Sequence, residues 1–150
     1  MHLTTFSDYT MRVMMYLGIQ NGQLVKISDI AQAYKISENH LMKVVHHLAQ
    51  RGYIETVRGK GGGLRLVLEP SAINIGEMIR ISEGDTHLLP CLGPDGTCCI
   101  QSSCKLMGIL REAQVALYAV LDKYTLVDLL QQEESLSRIL MHPRTLTSAK

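Results

Sequence analysis

The chain has 150 residues, 46% hydrophobic and 19% charged, with a formal net charge of +1 and four cysteines. That length supports a sizeable core, as one domain or one domain plus an arm, and no apolar run reaches the roughly 20 residues that cross a bilayer. The near-neutral total hides an asymmetry: residues 1–68 hold eight Lys/Arg against four Asp/Glu, whereas residues 69–150 hold seven against ten.

Ser7 stands where a helix cap is expected, opening a helix from about Asp8 to Asn21 that Gly22 closes. Tyr9, Met11, Val13, Met14, Met15, Tyr16, Leu17 and Ile19 nearly encircle it, so burial on most sides is predicted. Arg12 within this stretch, and the lack of a small-residue cleavage pattern, mark a core helix and not a signal peptide. Without export the compartment is expected to be cytoplasmic and reducing, which favours ligand or redox cysteines over a disulfide framework.

A short helix follows Ser28, and Ser37 caps a third, from Glu38 to about Arg51, with Ile36 and Leu41 in staple positions. Leu41, Val44, Val45, Leu48 and Ala49 form one apolar stripe, and Asn39, Lys43, His46 and Gln50 lie opposite, flanked by His40 and His47. Gly52 ends this helix. Two short helices joined by a tight turn, the second with a polar and basic outer face, have the pattern of a helix-turn-helix.

Tyr53–Val57 and Leu64–Leu68 read as strands joined by a loop with four glycines, the pattern of a wing. A nucleotide phosphate loop is the rival reading. It is disfavoured, because no helix opens after the glycines and no Lys-Ser/Thr follows. The span from Lys35 to Arg65 holds six basic and two acidic residues plus three histidines, enough to track phosphates. The candidate DNA contacts are Ser28, Ser37, Asn39, His40, Lys43 and His46 on the helices, and Arg58, Lys60, Gly62 and Arg65 in the wing.

Asn74 and Glu77 form a capping-box spacing, with Ile73 and Met78 as a staple, for a helix that stops near Gly84. Residues 85–103 show no periodicity and read as a loop of roughly 18 residues, a length uncommon unless functional or disordered. From Cys104 a helix is predicted to about Tyr124. Leu106, Leu110, Ala113, Leu117, Val120 and Tyr124 alternate in steps of four and three, a coiled-coil seam for a second copy of the chain. Packing back on its own domain is the other way to bury that stripe. Thr125 and Asp128 mark another capped turn over Leu126–Gln131, and the tail beyond His142 and Pro143 looks frayed.

The expected fold is mainly α with a small β-hairpin. It divides into a winged helix-turn-helix domain (1–84), a cysteine loop (85–104), a dimerisation helix with a C-terminal helical segment (104–141) and a tail (142–150).

Cys91, Cys98, Cys99 and Cys104 all fall in the loop. Six and five residues separate Cys91, Cys98 and Cys104, wider than the tight pairs of structural zinc sites. Adjacent Cys98 and Cys99 do not easily share one small ion. Widely spaced thiolates suit an iron–sulfur cluster (2Fe–2S or 4Fe–4S), while redox-active thiols, zinc and inert cysteines stay open. His40, His46, His47 and His87 fall at no ligand spacing relative to the cysteines and read as surface groups, the first three near DNA. An enzyme using Cys98 and Cys99 lacks an accompanying acid–base pair.

Three separated motifs occur in order: Leu3–Arg12 (LTTFSDYTMR), Arg58–Arg65 (RGKGGGLR), and the cysteine loop before a long helix. Together they resemble the Rrf2 family of bacterial winged-helix regulators, in particular its nitric-oxide-sensitive branch, over nearly the whole chain to about Leu140. The resemblance implies a homodimeric repressor that binds a palindromic operator in double-stranded DNA while its iron–sulfur cluster is intact, and releases it when nitric oxide attacks. It implies three loop cysteines as ligands, here Cys91, Cys98 and Cys104, with Asp8 of the partner subunit as the fourth. The loop is a residue or so longer than usual and Cys99 is extra, a spare thiol or an alternative ligand. The branch of the same family concerned with iron–sulfur homeostasis is the runner-up. There a histidine follows the third cysteine by three residues, where this chain has Met107.

Overall fold

The computed structural model describes residues 2–84, 87–94, 96 and 98–141, for Glu133 the backbone only. The predicted tail lies outside them. The first helix, α1, runs Thr5–Ile19, three residues earlier than expected. Thr4, and not Ser7, caps it: Thr4 Oγ1 accepts the Ser7 N–H at 3.2 Å. Ser7 is fully buried and its hydroxyl serves a distant residue instead. Val13, Met14, Tyr16, Leu17 and Ile19 are buried, as their encircling pattern predicts.

The second helix, α2, spans Ile27–Tyr34. Lys26, not Ser28, is its cap residue, and the Lys26 N–H donates to Asp29 Oδ2 at 3.4 Å. Lys35 then adopts φ +55°, a left-handed turn, before α3, Glu38–Gln50. Leu41, Val44 and Leu48 of α3 are fully buried, in contact with α1 and α2. The hairpin pairs β1, Ile54–Val57, with β2, Gly63–Leu66, in the register Ile54 to Leu66 and Val57 to Gly63. Val25 adds an antiparallel bridge to Leu64, with N–H to O distances of 2.9 and 2.7 Å, and ties the hairpin to the segment before α2.

A 3-10 turn at Pro70–Ala72 leads to α4, Ile75–Glu83, where Asn74 Oδ1 accepts the Glu77 N–H at 3.0 Å. Gly84 at φ +62° stops the helix. Between α4 and α5 the cysteine segment contains two 3-10 turns, Pro90–Leu92 and Gln101–Ser103, more local order than its missing periodicity predicts. The long helix α5 covers Lys105–Leu121 with Cys104 as its cap residue. Two helices follow, α6 (Leu126–Leu129) and α7 (Glu133–Met141). In α6, the expected capped turn is a capping box of Thr125 and Asp128, with the Thr125 N–H 2.7 Å from Asp128 Oδ2.

The chain after α5 turns back into the N-terminal half. Leu126 and Leu140 are buried in the same core as Leu17, Leu41 and Ile73, and α7 lies on α1 and α2. The start of α4 is stitched to the end of α5. Ile75 N–H donates to Tyr124 O at 3.0 Å, Leu126 N–H to Ile73 O at 2.8 Å, and Arg80 grips Asp122 with bonds of 2.7 and 2.6 Å. Gly76 permits this approach, since a Cβ there would collide with the Asp122 carboxylate.

Candidate nucleic-acid interface and metal centre

The outer face of α3 carries Asn39, His40, Lys43, His46 and Gln50, all exposed, as the period of 3.6 predicts. The His40 ring lies 6.3 Å from that of Tyr9, at the α1 edge of this face. Met42, which the polar-face reading passed over, is also exposed. Ser37 is the cap residue of α3 but its hydroxyl makes no capping bond, and Ser28 is half-buried in the first turn of α2.

His47 departs from its reading as a surface group near DNA. It is half-buried, edge-on to Phe6 with ring centroids 5.2 Å apart, and its Nε2 lies 3.1 Å from the Ile81 carbonyl of α4. Its position on α3 places it one step beyond the outer face, towards α1 and α4. Desolvation, and secondly the charge of Arg51, lower its pKa from the ordinary value of 6.5. The folded state therefore binds fewer protons than the unfolded chain between that lowered pKa and 6.5. The resulting penalty is absent at higher pH and fully present below the folded pKa. Acidification from about pH 7.5 to about pH 5.5 is expected to lower the thermal midpoint, and His47→Gln to flatten that fall. Equal slopes in both proteins would remove His47 as its source.

The wing carries Arg58, Lys60 and Arg65, all exposed. Gly59 and Gly61 adopt φ +98° and +81°, while a Cβ at Gly62 would meet the Val57 carbonyl. Arg65 is not free: it pairs across the hairpin with Glu55. The exposed positive charge at the tip is therefore chiefly that of Arg58 and Lys60.

Asp8 lies in the first turn of α1, partly exposed, and accepts from Arg12 Nε at 2.9 Å. The Arg12 guanidinium sits 5.5 Å from the Tyr34 ring centre, at the C-terminal end of α2. Burial pushes Tyr34 up to about 12, so the ring faces Arg12 as a neutral phenol. Glu83, at the end of α4, draws together the start of α1: its Oε1 accepts from Thr4 N–H at 2.8 Å, Thr4 Oγ1 at 3.1 Å and the Ser7 hydroxyl. A carboxylate at a helix N-terminus is favoured by the positive end of the helix dipole. No local sequence signal links residues that far apart, and Glu83 and Ser7 were missed for that reason.

All four cysteines are free thiols, Cys91 and Cys104 half-buried and Cys98 and Cys99 exposed. The loop folds on itself: Gln101 Nε2 donates to the Cys91 carbonyl at 3.3 Å, and Gly96 packs on the Cys91 backbone. Among the described residues, no three His, Cys, Asp or Glu side chains within the chain converge on one metal position.

No residue of α5 is buried. Leu106, Ile109, Val120 and Tyr124 are 54, 61, 52 and 48% exposed, and Leu117 and Ala113 share their face. Leu110 of the predicted seam is half-buried at its edge, and Ile109 joins it. Towards its own head, α5 presents Gln114, Tyr118 and Leu121, with Arg80 4.3 Å over the Tyr118 ring.

A family model described as Rrf2, iron-dependent transcriptional regulator, matches residues 3–132. The chain is 46% identical over 142 residues to the HTH-type transcriptional regulator NsrR of Bacillus subtilis, covering 93% of this chain and 97% of that protein. It is 40% identical to the NsrR of Shouchella clausii, covering 97% and 99%. Among solved structures, oxidized CymR of Staphylococcus aureus matches with a TM-score of 0.70 at 28% identity, covering 87% of this chain and 97% of that one. The T. potens IscR structure matches with a TM-score of 0.68 at 26% identity, covering 90% of each chain.

Proposed function

This chain belongs to the Rrf2 family of transcriptional regulators, and on that premise we propose that it is a homodimeric, nitric-oxide-responsive repressor whose operator binding requires an iron–sulfur cluster. It is a regulator and not an enzyme, like its relatives. One observation carries the finer reading: four free thiols lie in the single segment between the DNA-reading head and a helix with an unburied apolar face. Soft thiolate donors, none of them tied in a disulfide, suit such a cluster. Cys91, Cys98 and Cys104 would hold it with Asp8 of the partner subunit, and Cys99 is the spare or alternative thiol. A cluster held there would supply iron with which nitric oxide can react.

The rest is done by the chain itself. The N-terminal turns of α3 enter the major groove, with Asn39, His40, Lys43 and His46 towards the bases and Ser28 and Ser37 towards phosphate. Arg58 and Lys60 hold the backbone or minor groove beside Gly62, and Arg65 joins them on leaving Glu55. Two α5 helices pair so that both recognition helices meet successive grooves of a palindrome, roughly 34 Å apart. Asp8, Arg12 and Tyr34 form a contact path from the first turn of α1 to the turn that enters α3. Tying Asp8 to the other subunit's loop favours one pose of the two heads, and a preference of a few kcal/mol is enough to govern binding. The same reading places the protein in the cytoplasm with its operator.

The test is anaerobic titration of the purified coloured protein with nitric oxide, following absorbance and operator binding together. Both should be lost in step. Cluster-free protein that binds the same operator as tightly would overturn the coupling, and loss of binding on iron withdrawal without a response to nitric oxide would favour the iron-homeostasis reading. Lys43→Ala should weaken operator binding by about ten- to a hundredfold, the range for a base-reading side chain. Arg58→Ala should flatten the salt dependence, reducing the slope by about 1 for each phosphate it no longer neutralises. Unchanged binding curves would place both residues away from the DNA.

A further inference from the structure

We propose that Met42 reads a thymine methyl group in each operator half-site; this rests on the reading that α3 enters the major groove. Met42 is 52% exposed, one turn after Asn39 and one turn before His46, beside Lys43. It is a long apolar side chain on a surface whose other exposed groups are amide, ammonium and imidazole, with the Glu38 carboxylate one turn before it.

Single exposed apolar residues are common and carry no message alone. The message here comes from the neighbours. Asn39, Lys43 and His46 are exposed with Met42, so whatever these groups approach, the Met42 side chain approaches too. The edges of the major groove present amide-like donors, acceptors and one apolar group, the C5-methyl of thymine. A thioether facing a donor or acceptor edge would strip it of water and return little, because sulfur is a weak acceptor. Against the methyl, both partners lose apolar surface to water. The flexible, unbranched chain of methionine adapts to that contact without a fixed rotamer. Met42 therefore selects for thymine and against cytosine at one position, while Asn39 and Lys43 carry the hydrogen-bonded readout beside it.

The experiment uses the intact cluster-bearing protein and an operator duplex that it selects itself from a random-sequence pool. Each thymine is replaced in turn by deoxyuridine, which removes the methyl and keeps every base-pairing edge. One position per half-site should weaken the native protein about fourfold, or about fifteenfold when both half-sites are changed, the loss of one buried methyl each. Met42→Ala should bind the unmodified duplex less tightly by a similar factor and show no uracil penalty at that position, whereas Met42→Leu should keep most of it. A uracil penalty that is the same in native protein and Met42→Ala at every position overturns the proposal, as does no penalty anywhere. Failure of the native protein to enrich any duplex would instead sink the DNA-binding reading.

Discussion

Ile109→Glu and Val120→Glu are each expected to convert the protein to a monomer and to cost operator affinity at least about a hundredfold. Both residues are more than half exposed on α5, so either substitution removes little packing within the chain. The cost falls on pairing. Burying an apolar side chain of this size gains about 1.5–3 kcal/mol, and the two-fold symmetry of a dimer applies each loss twice and adds a buried charge. A dimer held by one such stripe does not survive that. Separate heads then lose the effective concentration that lets the second half-site bind almost for nothing, a factor of about 10² to 10⁴. Val115→Glu is the control: Val115 is 64% exposed but projects from the opposite side of the helix. Light scattering should show a monomer for the first two variants and a dimer for the third. Monomers in all three, or in none, would place the pairing surface elsewhere.

The second large effect concerns the thiols. Cys91→Ser and Cys104→Ser should each abolish the visible colour of protein purified without oxygen and, with it, high-affinity operator binding. Serine keeps the size but its hydroxyl does not ionise near neutral pH, so the soft anionic donor is gone. Cys99→Ser should keep both properties and Cys98→Ser should lose them. If those two outcomes are exchanged, the ligand is Cys99; colour retained in Cys91→Ser would remove the loop as the centre. Circular dichroism should match the native protein in every case, since none of the four side chains is fully buried.

Helix α3 and the hairpin were legible because their signals are local. An apolar residue every three or four positions leaves only one face for Asn39, Lys43 and His46, and glycines at φ +98° and +81° mark a tight turn without help from the rest of the chain. The α5 stripe was legible in part. The strict alternation of four and three took in Leu110, which lies at the stripe's edge, and passed over Ile109, because a straight helix turns about 100° per residue and drifts from a heptad. Ser7, His47 and Glu83 were not legible. What distinguishes them is a partner 34 to 79 residues away, and single-sequence spacing contains no such information. Ser7 in particular imitates a cap by residue type, while Thr4 holds the position that caps. The choice between Cys98 and Cys99 was illegible for the opposite reason, since neighbours in the chain share every local property.

The seams on either side of the cysteine loop bear on how such regulators can be rebuilt. Gly84 ends α4 at a positive φ, Cys104 starts α5, and both helices are clamped together by Arg80, Asp122 and the backbone pairs near Ile75 and Leu126. The segment between them joins two helices that are held together at the far end of α5, so a change within it leaves that clamp in place. The head is not a detachable module. Leu126 and Leu140 complete its core from beyond α5, so truncation after Gly84 exposes that core, and any exchange of the loop has to leave the C-terminal helices in place.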